Sequence, residues 1–276
     1  MPRPPRNDYR GALQHVMLRG VERRAIFLDD EDRAWFLHRL ADALEQGGTR
    51  CLAWALMPNH VHLLLETGPV PLCHVVHRLG TGYAIAFNRK YERVGHLFQD
   101  RYRSFVVEAE GGLLRVLRYV HLNPVKASHL PDLDALAVHP WTGHSSLMGR
   151  LRAPFQDTEA ILRIFGPEDR AARMALRGWM EAGLGVGPDP AEESGLRGAK
   201  EAFRGSRPGS APTGTAGWGN GDGRDIEPVL SQVCRALRAP EEDVRSGRRY
   251  REASLARAAF AYLATERLGL RPGQLV

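Results

Sequence analysis

Hydrophobic and polar positions along the first half of the chain switch repeatedly between strand-like and helix-like patterns. "GALQHVMLRG" (Gly11 to Gly20) reads as a strand closed by glycine. "DDEDRAWFLHRLADALEQGG" (Asp29 to Gly48) predicts a helix. Its acidic first turn suits the helix dipole, and Trp35, Leu37, Leu40 and Leu44 form an apolar stripe before a glycine stop. "TRCLAWALMPNHVHLLLET" predicts two strand pieces around Pro58, a residue tolerated at a strand start, edge or bulge. "LCHVVHRLGTGYAIAFNRKY" (Leu72 to Tyr91) predicts a second helix, and "HLFQDRYRSFVVEA" (His96 to Ala109) a further strand. "EGGLLRVLRYVHLNP" (Glu110 to Pro124) predicts a third helix with a buried stripe of Leu113, Val116, Leu117 and Val120, stopped by its proline. These elements on one core predict an α+β fold, with helices packed on a largely antiparallel sheet. The pattern does not give the strand order.

Beyond residue 150 the pattern turns helical from Phe155 to Met180, then composition shifts. "RGSRPGSAPTGTAGWGNGDGR" (Arg204 to Arg224) is rich in Gly, Pro, Ser and Thr, as flexible linkers are. Periodicity resumes at Asp225, where a small helical module is expected. The predicted organisation is an α+β domain over 1–150, a helical extension over 151–182, a linker over 183–225 and an all-α tail over 226–276.

The 276 residues suffice for one well-buried domain and a smaller second one. The net charge of +6 turns attention to polyanions, nucleic acid first. Lys90, Lys126 and Lys200 are the only lysines, so the basic charge is carried by arginine. Arginine's planar fork suits phosphate and guanine, although arginine-favouring codon usage explains the count equally well. Cys51, Cys73 and Cys234 form neither a CxxC pair nor a disulfide framework, and the expected compartment is reducing. The beginning "MPRPPRNDYRG" lacks a signal-peptide core, and no apolar run is long enough for a membrane span. A cytoplasmic location without membrane partners is expected.

Chemistry enters at "MPNHVHLLLE" (Met57 to Glu66). Alternate strand residues share a face, so His60 and His62 project together while Val61, Leu63 and Leu65 point the other way. Two imidazoles about 6–7 Å apart along a strand can converge on one cation. They can equally be a solvated or hydrogen-bonded pair, because two ligands do not make a metal site. In the third helix Arg115 and Asn123 lie four residues either side of Tyr119 and share its face. Tyr119 is either an ordinary core-edge aromatic or a nucleophile flanked by a phosphate clamp and a metal ligand. The proline after Asn123 predicts some displacement of that residue from the face.

Four segments, "RGVERRAIFLDDEDRAWFLHRL", "WALMPNHVHLLLE", "FNRKYERVGHLFQDRYRSFVVE" and "LRYVHLNPVKA", resemble in order and spacing the IS200-like single-tyrosine transposases. Within these the chain looks most like the REP-associated branch. The resemblance covers about residues 10–150 and implies an HUH-endonuclease fold, a ferredoxin-like antiparallel sheet with helices. It implies that His60 and His62 are the metal-binding pair, Tyr119 the nucleophile and Asn123 a polar residue near the metal. The implied activity is metal-dependent nicking and rejoining of single-stranded DNA at hairpin-forming repeats through a 5′-phosphotyrosine. Nitrogen and oxygen ligands together suit Mg²⁺ or Mn²⁺, while histidines alone also admit zinc.

Arg89, Lys90, Arg93, Arg101 and Arg103, interleaved with Tyr91, Phe98 and Tyr102, carry a pattern suited to gripping backbones and stacking on bases. The same pattern fits a solvated hairpin with core aromatics. Arg19, Arg23 and Arg24 are expected near phosphates as well, and Arg115 is a candidate clamp. His74 and His77 read as ordinary helix residues, and "HPWTGHSS" (His139 to Ser146) as a structural landmark of the resemblance. Residues 226–276 resemble the start of the helix-turn-helix domain of the bacterial initiator DnaA, through "EDVRSGRRYREASLARAAFAYLATERLGL". That likeness stops at "RPGQLV", before the recognition helix, and implies a partial module. The expected partner is hairpin-bearing single-stranded DNA, bound by a monomer or homodimer. A domesticated protein that binds such hairpins without cutting is the alternative.

Overall fold

Asp29 shows how local chemistry sets the first helix. In the computed structural model, which describes residues 8–107, 112–184, 226–237, 239–246 and singly 253, 256, 259, 260 and 263, helix α1 spans Asp30–Gly47. The Asp29 carboxylate accepts from the Asp32 backbone N–H, and Asp32 returns the bond to the Asp29 N–H, a reciprocal cap that satisfies two otherwise orphaned donors. Gly48 ends the helix at φ 57°, left-handed backbone that costs a Cβ-free residue little. The buried face is Phe36, Leu40, Ala43 and Leu44, while Trp35 and Leu37 from the predicted stripe are only partly buried.

Strands β1 (Leu13–Arg19), β2 (Arg50–Met57), β3 (His60–Glu66) and β4 (Arg103–Val106) form one antiparallel sheet in the order β2-β3-β1-β4. With α1 after β1 and α2 (Leu72–Lys90) after β3, this is the expected ferredoxin-like arrangement. The predicted fourth strand is much longer than β4; ahead of it, Phe98 makes only an isolated bridge to Gly20. Alternate strand residues divide between two cores. Val16, Leu18, Trp54, Leu56, Val61, Leu63 and Leu65 pack against α1 and α2. Leu13, Ala53, Ala55 and Leu64 pack against α3 (Gly112–Lys126) on the opposite face.

Helix α3 departs from the prediction at Pro124, which lies inside it rather than ending it. Proline forfeits one backbone bond, a loss tolerated here only a half-turn from the helix end. Leu113, Leu114, Leu117, Val120 and Leu122 are all buried, a wider stripe than one face requires. The reason is a second cover. Helices α4 (Leu133–Val138), α5 (His144–Leu147), α6 (Thr158–Phe165) and α7 (Asp169–Ala182) add Leu136, Leu147, Ile161, Ile164 and Leu176 to the same core. Arg118 stacks on Trp179, its guanidinium carbon 4.0 Å from the ring centroid, which ties α3 to α7. His121 on α3 meets His144 on α5 at 5.7 Å between ring centroids, with both His121 nitrogens buried and without a hydrogen-bond partner.

The landmark "HPWTGHSS" runs beside β2: Leu56 donates to the Trp141 carbonyl and Gly143 to that of Trp54. Helices α8 (Glu227–Leu237) and α9 (Glu241–Arg245) follow, and Gln232 donates to the Ile164 carbonyl at 3.1 Å. Of the expected linker only Gly183 and Leu184 are described, and the rest lies outside the described residues. Among the described residues no helix is long and apolar enough to cross a membrane.

Arg50 at the start of β2 joins the sheet to the following helices. It donates to Glu66 at 2.9 Å and, through two nitrogens, to Asp157 at the start of α6. Glu66 is 4% exposed, so its carboxylate meets the Arg50 cation out of water. Arg50→Met should destabilise the protein by about 3 kcal/mol, the cost of breaking a buried ion pair by removing one partner. Urea unfolding of the variant checks this; an unchanged midpoint would mean that the Arg50 pairs add nothing to stability.

Candidate active site

Strand register and one helix build the site. Pairing of β1 with β3 sets Arg19 opposite His60 and Met17 opposite His62. Pairing of β1 with β4 sets Phe105 opposite His15 and Arg103 opposite Met17. Positions two apart on each strand therefore raise His15, Arg19, His60, His62, Arg103 and Phe105 from one face of the sheet, the face α3 covers. The His60 and His62 ring centroids are 4.8 Å apart, with the planes at 88°. Tyr119 on α3 lies edge-on to both neighbouring imidazoles, 5.3 Å from His62 and 5.6 Å from His15 between centroids. One helical turn further, Asn123 lies close enough to His60 to influence its protonation. The continuation of α3 through Pro124 keeps Asn123 on the Tyr119 face.

Hydrogen bonds fix the histidine rings. Asn59 donates its side-chain N–H to the Arg23 carbonyl at 2.9 Å, which turns its amide oxygen to His60 Nδ1 at 2.6 Å. An amide oxygen only accepts, so His60 carries its proton on Nδ1 and keeps a lone pair on Nε2. His62 Nδ1 faces His15 Nε2 at 2.9 Å, while His62 Nε2 is buried without a hydrogen-bond partner. The Arg23 carbonyl belongs to a turn in which Glu22 and Arg23 adopt φ of 52° and 60°, uncommon for residues with a Cβ. Backbone bonds from Gly20 to the Asn59 carbonyl and from Ile26 to the Pro58 carbonyl hold that turn against the β2–β3 connection.

Burial lowers all three imidazoles. His15 falls to about 4 through burial alone. His60 also falls to about 4, through burial and then the nearby Arg19 cation, with Asn123 acting in the opposite sense. His62 falls well below its ordinary value through burial, then His15, His60 and Arg19. At neutral pH the rings are uncharged, the state a metal ligand requires. Among the described residues no group of three or more His, Cys, Asp or Glu side chains is arranged to hold a metal ion. His15 turns Nε2 to its neighbour, which leaves His60, His62 and the Asn123 amide as the donor set. The orphaned His62 Nε2 fits that use.

The predicted basic residues divide. Arg19 sits at the site with its Nε buried and without a hydrogen-bond partner, and it interacts electrostatically with Tyr119, Arg23 and Arg103. Arg24 pairs with Glu22 at 2.7 Å on the surface. Arg103 is exposed on β4, beside the site, and Arg115 is exposed one turn ahead of Tyr119. Arg89 and Arg101 are exposed, and Arg93 lies over the Phe87 ring at 5.6 Å. Lys90 is held by Asp29, Glu31 and Asp32 at 2.8–3.0 Å, at the start of α1. Tyr91, Phe98 and Tyr102 pack on the α1–α2 core, so the interleaved aromatics serve the interior rather than a stacking surface.

His15, Asn59 and Phe105 complete the site and were not among the sequence candidates. The β1 alternation placed His15 on the face of Arg19, but only the register brings either beside the β3 histidines.

Residues 9–123 match the family model described as "Transposase IS200 like". None of the curated proteins matches the chain. Among solved structures, the REP-associated tyrosine transposase bound to a REP hairpin aligns at 16% identity and a TM-score of 0.45, over 54% of this chain and 87% of that one. A protein from Deinococcus radiodurans R1 described as a candidate transposase aligns at 23% identity and a TM-score of 0.31, over 43% of this chain and 95% of that one. The family match spans the whole sheet, the histidine pair, Tyr119 and Asn123, and over residues 9–123 this chain is similar to the IS200-like transposases.

Proposed function

We propose that this domain nicks and rejoins single-stranded DNA at hairpin-bearing sequences through a covalent bond to Tyr119. The observation that carries the proposal is the Tyr119 ring lying 5.3 Å from His62, on the same face of the sheet and one turn from Asn123, which neighbours His60. The Tyr119 oxygen attacks phosphorus, the tyrosyl–phosphate bond forms, and the bond to the 3′ oxygen breaks. The phenolic proton is lost and the departing oxygen leaves as a 3′-hydroxyl. One phosphodiester replaces another, so the bond is conserved and a second 3′-hydroxyl can reverse the step without ATP.

Arg19 is placed to offset negative charge gathering at the phosphate, as its low-dielectric setting strengthens such an interaction. Arg103 and Arg115 flank the site and suit the incoming backbone. His60, His62 and the Asn123 amide oxygen would hold a divalent cation, Mg²⁺ or Mn²⁺. When bound, such a cation polarises a phosphate and stabilises a leaving oxygen.

The test incubates the full-length protein with Mn²⁺ and hairpin-containing single strands, then resolves the products on a denaturing gel. A protein–DNA adduct with a free 3′-hydroxyl fragment is expected. Tight hairpin binding without any adduct, across several sequences and metals, would instead establish a binding protein that no longer cuts.

A further inference from the structure

His15 has no assigned task, yet it touches three other rings of the site. Its ring stacks on His62 at 5.1 Å with an interplanar angle of 21°, meets Tyr119 edge-on, and approaches Phe105 at 6.5 Å. Its Nε2 lies 2.9 Å from His62 Nδ1. One proton occupies that contact, and which ring owns it decides the other end of His62. If His15 donated, His62 would carry its own proton on Nε2, a buried N–H with nothing to receive it. If His62 donates, Nε2 keeps a lone pair, the form a cation can use. His15 then holds its proton on Nδ1, an atom that is not among the buried polar atoms lacking a partner.

We propose that His15 is a positioning residue: its Nε2 accepts the Nδ1 proton of His62, fixing that ring's orientation and presenting Nε2 as a ligand. It does for His62 what the Asn59 amide oxygen does for His60. Metal-bound histidines depend on such a partner for tautomer, ring direction and basicity. The inference rests on reading His60 and His62 as cation ligands, but its first consequence is visible with no metal present.

Long-range ¹⁵N–¹H spectra of the metal-free full-length protein should show His62 protonated at Nδ1. Titration with Mn²⁺, followed by the loss of the free-ion electron paramagnetic resonance signal, gives the second readout. In His15→Phe, which keeps a ring against His62 and Tyr119, the Nδ1–H form should lose its dominance and Mn²⁺ affinity should fall about 10- to 100-fold. His15→Gln, which restores an acceptor near the same point, should recover both. A wild-type His62 protonated at Nε2, or a His15→Phe protein with unchanged tautomer and affinity, overturns the proposal. Should the wild type bind no Mn²⁺ while His62 is held at Nδ1–H, the metal reading fails and the positioning role stands.

Discussion

Tyr119→Phe is expected to abolish the covalent protein–DNA adduct, reducing its formation on the order of a thousandfold or more, since no neighbouring group can replace a lost nucleophile. The ring contacts with His62 and His15 survive the change, so the sheet face, the histidine pair and hairpin binding should be preserved. Quantifying adduct by denaturing gel and affinity by filter binding on the same preparations separates the two effects. His60→Ala in parallel should also lose the adduct, for want of a donor rather than of an attacking oxygen, and only there should excess Mn²⁺ restore part of it. Adduct formation by Tyr119→Phe at the wild-type rate would place the nucleophile elsewhere and remove the basis of the proposed reaction.

Acid should unfold this protein early. Burial pushes His15, His60 and His144 down to about 4, and His62 and His121 well below their ordinary value. In the unfolded chain these rings protonate near pH 6.5. Between about pH 6.5 and 4 the unfolded state therefore binds more protons, and stability falls as pH falls through that window. At pH 5 each ring costs about 2 kcal/mol relative to neutral pH. Five such rings together approach the roughly 5–15 kcal/mol that holds a typical domain folded. Melting temperature should be flat above pH 7 and drop steeply from pH 6.5 to 5. His121→Leu, which replaces a fully buried ring far from water, should flatten the drop. A melting temperature unchanged down to pH 5 would show that these rings find protons or partners in the folded state.

The helices were legible because their signals are local. The acidic first turn, Gly48 as a stop and the Leu40/Leu44 spacing each act within a few residues, and α1 lies within the span they mark. The proline rule misplaced the end of α3, because proline removes one backbone bond while burial on both sides of the helix secures its last turn. The interleaved aromatics after α2 misled for a related reason. A ring in a basic stretch looks the same whether it faces solvent or core, and only packing against α1 and α2 decides. Lys90 illustrates the same limit. Its three carboxylate partners lie about sixty positions earlier and were brought to it by the fold.

For the site, the sequence alone determined that His60 and His62 share a face and that Tyr119 and Asn123 lie one turn apart. Those relations follow from the periods of strand and helix. Tertiary structure decided that the two faces are the same face, that His15 stands behind His62, and that Asn59 turns its amide oxygen to His60. Strand register and helix docking are set by the burial of whole apolar surfaces, a property no single segment contains.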